Sequence, residues 1–200
     1  MKLKNTLVSF FLKFIINNTN YSNTDIEKIQ YGLEILFINF FKLIILFISA
    51  SLLGIFRYTL ISFLIFSVLR TFACGAHGNS SFQCIIINYI IFFSNVYCSI
   101  YINLNNTFLI FVFLISLLLI YRYAPADTEE RPLTSEKLRI LLKIKSIVVA
   151  IFFFIVALLM RNPIYSSLVI YSVFSESLVI TPIFYKILKK PYNNYKKIKL

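Results

Sequence analysis

The sequence predicts an all-α integral membrane protein, with about six transmembrane helices and an N-terminal amphipathic helix at the membrane interface. Hydrophobic residues make up 59% of its 200 residues, whereas soluble domains average about 45–50%. Only four glycines and five prolines interrupt the chain, so long helices are favoured. Long apolar runs recur, and at about 1.5 Å per residue they match a hydrocarbon layer of about 30 Å.

Six segments are predicted to span the membrane. The apolar run 59–69 is too short to cross alone, so its helix is expected to continue toward Gly75 with Arg70 in its last turns. Pro182 is expected to kink the last segment. The predicted spans are 33–56, 59–69 with its extension, 85–103, 107–123, 146–160 and 164–185.

We interpret the chain as a single membrane domain, 1–200. It comprises an amphipathic N-terminal segment (1–31), a transmembrane core (32–185) and a basic tail (186–200). The first residues, MKLKNTLVSFFLKFIIN, are followed by no small-residue cleavage site. An interfacial helix therefore fits them better than a signal peptide. The stretch NTNYSNTDIEKIQ, residues 18–30, is predicted to be a polar linker.

The charges predict an orientation. Lysine and arginine number 20 against eight acids, for a net charge of +12. Basic residues concentrate in the cytoplasmic loops of membrane proteins, so no nucleic-acid partner is needed to explain them. With both termini inside, 17 cations lie on the cytoplasmic side, whereas only Arg57 and Arg161 lie opposite. Both termini and the polar stretch 70–84 are therefore expected on the cytoplasmic side.

The stretch RTFACGAHGNSSFQC, residues 70–84, is the candidate functional site. It contains His77, the only histidine, and two of the three cysteines, Cys74 and Cys84. A nearby base converts a thiol to the reactive thiolate, and the seven-residue spacing allows His77 to meet Cys84 along a helix or across a loop. A metal site of Cys74, His77 and Cys84 stays open but lacks an obvious fourth ligand. A purely structural loop is the third interpretation.

The sequence GNSS also predicts the start of a helix. Asn79, Ser80 or Ser81 can cap it. Cys84 would then lie near the helix N-terminus, where the helix dipole favours the thiolate. Backbone N–H groups there could hold an oxyanion.

Two nearby charges have both a structural and a functional interpretation. Arg70 is either a membrane-edge anchor or a group that binds a substrate carboxylate. Glu176, an acid within the last span, is costly unless paired, and Arg70, His77 and Lys42 are its candidate partners. It forms either a structural ion pair or the third member of a triad that orients His77. Cys98, inside a span, is interpreted as a small buried hydrophobe.

Three motifs together resemble the accessory gene regulator B (AgrB) family, the membrane cysteine endopeptidases of Gram-positive quorum sensing. RTFACGAHGNSSFQC resembles the family signature. YAPADTEERPLT, residues 123–134, resembles the loop after the fourth span, and ESLVITPIF, residues 176–184, resembles the final helix. The similarity extends in order over essentially the whole chain.

This resemblance implies an enzyme of the bacterial cell membrane that removes the acidic C-terminal tail of an AgrD-type precursor peptide. Cys84 would be the nucleophile and His77 the general base, leaving the peptide as a thioester on Cys84. A cysteine or serine of the peptide would then close a thiolactone or lactone. Arg70 and Gly75 match the family motif and would support the site. The family works as a homodimer, and no cofactor or metal is expected.

One segment departs from the family pattern. The loop reads DTEERP, whereas the family loop is more basic. Arg131, Lys137 and Arg139 are therefore expected to recognise the acidic tail. The alternative function is a non-catalytic membrane peptide transporter or binding scaffold, in which the polar stretch lines a path for the peptide.

Overall fold

The computed structural model describes residues 8–13, 15, 22–78, 80–129 and 131–196. Over these ranges the chain is helical, with an isolated bridge between Cys74 and Ala126. Residues 8–13 are helical. The longer helices are α1 (Asn23–Leu52), α2 (Phe56–Ala73), α3 (Ser81–Tyr101), α4 (Asn106–Tyr123), α5 (Glu136–Leu159), α6 (Pro163–Val179) and α7 (Pro182–Ile187).

The predicted all-α membrane class is confirmed. Within the described ranges, α1 to α5 are each long and apolar enough to cross a membrane. The sixth predicted span corresponds to α6, which has 17 residues. Its length of about 26 Å, at 1.5 Å per residue, is close to the hydrocarbon thickness of about 30 Å. The chain is therefore a multi-pass membrane protein.

Polar side chains begin most of the helices. In each case a side-chain oxygen of the cap residue accepts a hydrogen bond from a backbone N–H of the first turn. The cap residues are Ser80, Asn105, Ser135, Asn162 and Thr181. Of the candidate caps for α3, the structure uses Ser80, with Ser81 as the first helical residue. Asn79 lies outside the described residues.

The predicted ends of two spans were wrong. Helix α1 begins at Asn23, inside the predicted linker, and ends at Leu52 rather than residue 56. Helix α5 begins at Glu136, ten residues before the predicted span. Charged residues were taken as loop in both places, although they are compatible with the exposed first turns of a long helix.

The last predicted span is divided. Helix α6 ends at Val179, and α7 begins at Pro182 after an N-cap at Thr181. Proline has no N–H to donate and is favoured in a first helical turn. A kink was expected at Pro182. The structure shows a complete break there, since one helix stops and another begins.

The chain forms two compact units, Met1–Leu52 and Leu53–Leu200. In the first, the rings of Phe11 and Phe37 pack with centroids 5.6 Å apart. The interfacial placement of the N-terminal segment, part of which lies outside the described residues, stays a prediction. The division at 31/32 and the single-domain interpretation also stay predictions.

Helix α6 is the centre of the second unit. It packs against α2, α3, α4 and α5, and ten of its 17 residues are buried. Four of these ten are serines: Ser166, Ser167, Ser172 and Ser177. Small side chains allow helices to approach closely in a membrane, and their hydroxyl groups bond across or along helices. This explains how a helix with so many polar residues occupies the core.

A buried hydrogen-bond network joins α2, α3 and α6. The Asn95 side chain donates to Ser62 Oγ at 3.2 Å and accepts from the Ser175 hydroxyl. The hydroxyl oxygens of Ser62 and Ser172 lie 2.8 Å apart. The network therefore joins the three helices that carry Arg70, Cys84 and Glu176.

Replacing Asn95 by alanine is expected to destabilise the folded protein by about 1 kcal/mol, since two interhelical hydrogen bonds are lost. Reversible unfolding in mixed micelles measures the difference in free energy. Asn88→Ala, at a half-buried position on the same helix, is the matched control. Equal stability of both variants would contradict the role of the network.

Candidate functional site

The candidate site begins where α2 ends. Cys74, the C-cap residue, has φ 62°, and Gly75 has φ 123°, a conformation that favours glycine. The Gly75 N–H donates to the Ala126 carbonyl at 2.9 Å, and the Ala126 N–H donates to the Ala73 carbonyl at 2.9 Å. Two distant loops, 74–78 and 124–128, are thereby fastened together.

Arg70 holds this loop from the last turn of α2. Its Nη1 donates to Glu176 Oε2 at 3.2 Å. Its Nη2 donates to the carbonyl oxygens of Gly75, at 3.4 Å, and of Ala76. The structure thus brings together Arg70, Gly75 and Glu176, three of the residues predicted to support the site.

Glu176 is fully buried in α6. Its Oε2 accepts from Arg70, whereas Oε1 has no hydrogen-bond partner among the described residues. This geometry corresponds to the structural ion pair left open by the sequence. The hydrogen bonds of Arg70 are all made to acceptors within the protein. Its guanidinium group therefore supports the loop in this structure.

Cys84 lies in the first turn of α3, half-buried. Its thiol lies 3.7 Å from the carbonyl oxygen of Gly78, to which it donates. A Cβ atom on Gly78 would lie 3.0 Å from Cys84 Sγ and 2.9 Å from its backbone nitrogen. Only glycine therefore permits this approach. Gly78 was not among the predicted site residues, although its place between His77 and the helix cap was a usable signal.

The start of α3 also offers hydrogen-bond donors. The Ser80 side chain caps the Gln83 N–H at 3.1 Å, and the Cys84 N–H donates to the Ser80 carbonyl at 3.0 Å. Ser81 and Phe82 precede that first helical bond, and the N–H groups of such residues have no acceptor within their helix. The helix start can therefore stabilise a negative charge in the same turn as the thiol.

His77 is exposed and lies on the loop between Gly75 and Gly78. It lines a small cleft. The other lining residues are Ala76, Thr128, Glu129, Tyr185, Lys190 and Pro191. Since the residue next to His77 contacts Cys84, the predicted base and nucleophile are carried by one short loop and the helix that follows it.

The other two cysteines lie in different surroundings. Cys74 is half-buried at the end of α2, and desolvation by burial raises the pKa of its thiol. Cys98 is half-buried in α3, about four turns beyond Cys84. Among the residues that the structure describes, no group of three His, Cys, Asp or Glu side chains could hold a metal ion. The Cys74, His77 and Cys84 ligand set is therefore not assembled.

The three cations predicted to recognise an acidic tail differ in their surroundings. Arg131 and Lys137 are exposed, in the loop and in the first turn of α5. The Arg139 guanidinium lies 3.8 Å from the ring centroid of Tyr195, stacked on the chain's own C-terminal segment. Arg131 and Lys137 are thus the more accessible of the three.

Replacing Arg70 by methionine is expected to destabilise the protein by about 3 kcal/mol, because the Glu176 carboxylate would be left buried without its cation. Arg70→Met/Glu176→Gln should recover part of the loss, since it removes both charges. A double-mutant cycle of unfolding free energies measures this coupling. Strictly additive effects would show that the pair is not coupled.

Replacing Gly78 by alanine is expected to displace Cys84 Sγ and to cost about 1–3 kcal/mol through overcrowding. The rate of maleimide labelling, with Cys74 and Cys98 replaced by alanine, reports the altered environment of Cys84. Gly32→Ala is the control, because a Cβ atom there meets nothing within 4 Å. Unchanged stability and labelling in Gly78→Ala would disprove the close packing.

Comparisons with known proteins identify the family of the chain. The family model "Accessory gene regulator B" matches residues 9–180. An AgrB-like protein of Clostridium acetobutylicum is 34% identical over 171 residues, covering 86% of this chain and 82% of its own. "Accessory gene regulator protein B" of Staphylococcus intermedius is 36% identical over 165 residues (82% and 87%), and that of Staphylococcus lugdunensis 32% over 185 residues (92% and 97%).

No solved structure matches the chain. The family match covers far more than half of the sequence, and each of these relatives is more than 30% identical over most of its length. The chain is a member of the accessory gene regulator B family of quorum-sensing membrane proteins.

Proposed function

We propose that this protein is a membrane cysteine endopeptidase that processes an AgrD-type precursor peptide. The observation that carries the proposal is the position of Cys84. Its thiol lies in the first turn of a capped helix, against the loop that carries the only histidine. A nucleophile, a base and backbone donors for an oxyanion are the components that acyl transfer requires.

In the first step, His77 takes the proton of the Cys84 thiol, and the thiolate attacks the carbonyl carbon of the scissile bond. The resulting oxyanion accepts hydrogen bonds from the N–H groups at the start of α3. The C–N bond then breaks, and His77 returns the proton to the departing amine. The C-terminal tail of the precursor leaves, and the rest stays on Cys84 as a thioester.

In the second step, a cysteine or serine of the bound peptide attacks the same carbonyl carbon. His77 accepts its proton, the bond to Cys84 breaks, and the thiolate is protonated again. The product is a cyclic thiolactone or lactone, and no water is consumed in this step. The half-buried position of Cys84 supports this route, because limited access of water protects the thioester from hydrolysis.

The distribution of charge supports recognition of an acidic tail on the cytoplasmic side. Arg131 and Lys137 are exposed near the loops that form the site. Such cations attract an anionic segment and orient it. In the proposed topology both termini and the site face the cytoplasm, where an amphipathic peptide also reaches the leaflet. The active form is proposed to be a homodimer.

The decisive experiment is intact-mass spectrometry of the protein in lipid after incubation with its precursor peptide. Wild-type protein should gain the mass of the peptide without its tail, and hydroxylamine should remove this adduct. Cys84→Ala should abolish the adduct and reduce cleavage by roughly 10³-fold or more, and His77→Ala by about 10²–10⁴-fold.

Cys74→Ala and Cys98→Ala are the matched controls and should keep both adduct and cleavage. A precursor without its cyclising residue should trap the adduct, because the second step is blocked. A wild-type protein that forms no adduct even with this precursor would instead favour a non-catalytic transporter or scaffold. Full cleavage by Cys84→Ala would also exclude the proposed nucleophile.

A further inference from the structure

We propose that Asp127 is a positioning residue of this site, which fastens the C-terminal segment 188–196 against the loop that carries His77. The inference rests on the proposed peptidase function. Asp127 belongs to the loop between α4 and α5 and makes no contribution to the chemistry described above. It is nevertheless almost completely buried, with 3% of its surface exposed, which is unusual for a carboxylate unless it is fully bonded.

The Asp127 carboxylate binds the backbone of the C-terminal segment. Oδ1 accepts the Asn194 N–H at 3.0 Å, and Oδ2 accepts the Tyr195 N–H at 2.6 Å. The backbone carbonyl of Asp127 accepts the Tyr185 hydroxyl at 2.9 Å. Charge-assisted bonds of this kind are stronger than neutral ones, so one side chain holds a segment that lies 67 residues further along the chain.

The same loop binds the site on its other side. Ala126, next to Asp127, exchanges hydrogen bonds with Ala73 and Gly75, each at 2.9 Å. Gly75 precedes His77 by only two residues. The backbone of Ala126 and Asp127 therefore connects the C-terminal segment, bound by Asp127, to the His77 loop, bound by Ala126.

The C-terminal segment is packed rather than extended into solvent. Leu188 and Asn194 are buried, with 3% and 4% exposed. The Tyr192 ring packs edge-on against Tyr185 with centroids 5.1 Å apart, and Arg139 stacks on Tyr195. The segment predicted as a basic tail thus includes an ordered strap over residues 188–196.

This strap forms part of the cleft beside His77. Lys190 and Pro191 of the strap and Thr128 and Glu129 of the loop line the cleft together with His77. If Asp127 releases the strap, the cleft loses this wall and the His77 loop loses its outer support. Loss of geometry at a catalytic base lowers the rate of the chemical step more than it weakens binding.

The test is the kinetics of acyl-enzyme formation by Asp127→Asn in lipid. Asparagine has nearly the same size but presents an NH₂ group to one of the two N–H donors, so one bond is lost. The burst amplitude gives the fraction of protein whose Cys84 can be acylated. The acylation rate, divided by this fraction, should fall about tenfold or more, which corresponds to about 1.4 kcal/mol in activation free energy. KM should change by less than about twofold. Glu136→Gln, an exposed acid at the start of α5, is the matched control.

Tyr185→Phe is the second variant, since it removes only the hydroxyl that bonds to the Asp127 carbonyl. It should lower the same rate by a smaller factor with KM unchanged. If Asp127→Asn does not fold, the result with Tyr185→Phe decides the matter. If Cys84→Ala is inactive but the folded Asp127→Asn and Tyr185→Phe variants acylate at the wild-type rate, the positioning role is overturned. Activity of Cys84→Ala would instead reject the peptidase function itself.

Discussion

The contact on which the site depends most is the one between Arg70 and its three acceptors. An ion pair inside a membrane protein is costly to desolvate and is retained only where its geometry is satisfied. Here one guanidinium group neutralises Glu176 of α6 and also binds the carbonyl groups of Gly75 and Ala76. The positive charge of Arg70 compensates the buried Glu176 carboxylate of α6. The same guanidinium group also holds the loop that carries His77 in shape.

The rest of the site is built by helix ends. Helix α2 stops at Ala73, α3 starts at Ser81, and the seven residues between them include His77. Because every helix end leaves backbone groups unsatisfied, these groups need partners from other segments. The Ala126 loop and the Ser80 cap provide some of them. The backbone requirements of two helix ends thus shape the polar loop that carries His77.

The fold class and the local setting of Cys84 were accessible from the sequence because they depend on local patterns. Hydrophobic runs specify spans, and GNSS specifies a cap, which places Cys84 in the first turn of α3. What could not be predicted depends on distant contacts. Asp127 accepts hydrogen bonds from residues 194 and 195, which are distant in the sequence. Nothing in the sequence DTEERP marks Asp127 as different from its acidic neighbours. Gly78 is similarly explained only by the position of the Cys84 sulfur.

The two cysteines of the stretch 70–84 show why position matters more than composition. Cys74 and Cys84 are both half-buried and lie ten positions apart. Cys74 occupies the C-terminal end of α2, where the helix dipole opposes a negative charge, and burial raises the pKa of its thiol. Cys84 occupies the N-terminal turn of α3, next to the loop that carries His77, and the positive end of a helix dipole attracts negative charge. The stretch 70–84 therefore places its two thiols at opposite kinds of helix end, and only the start of α3 has the polarity that attracts negative charge.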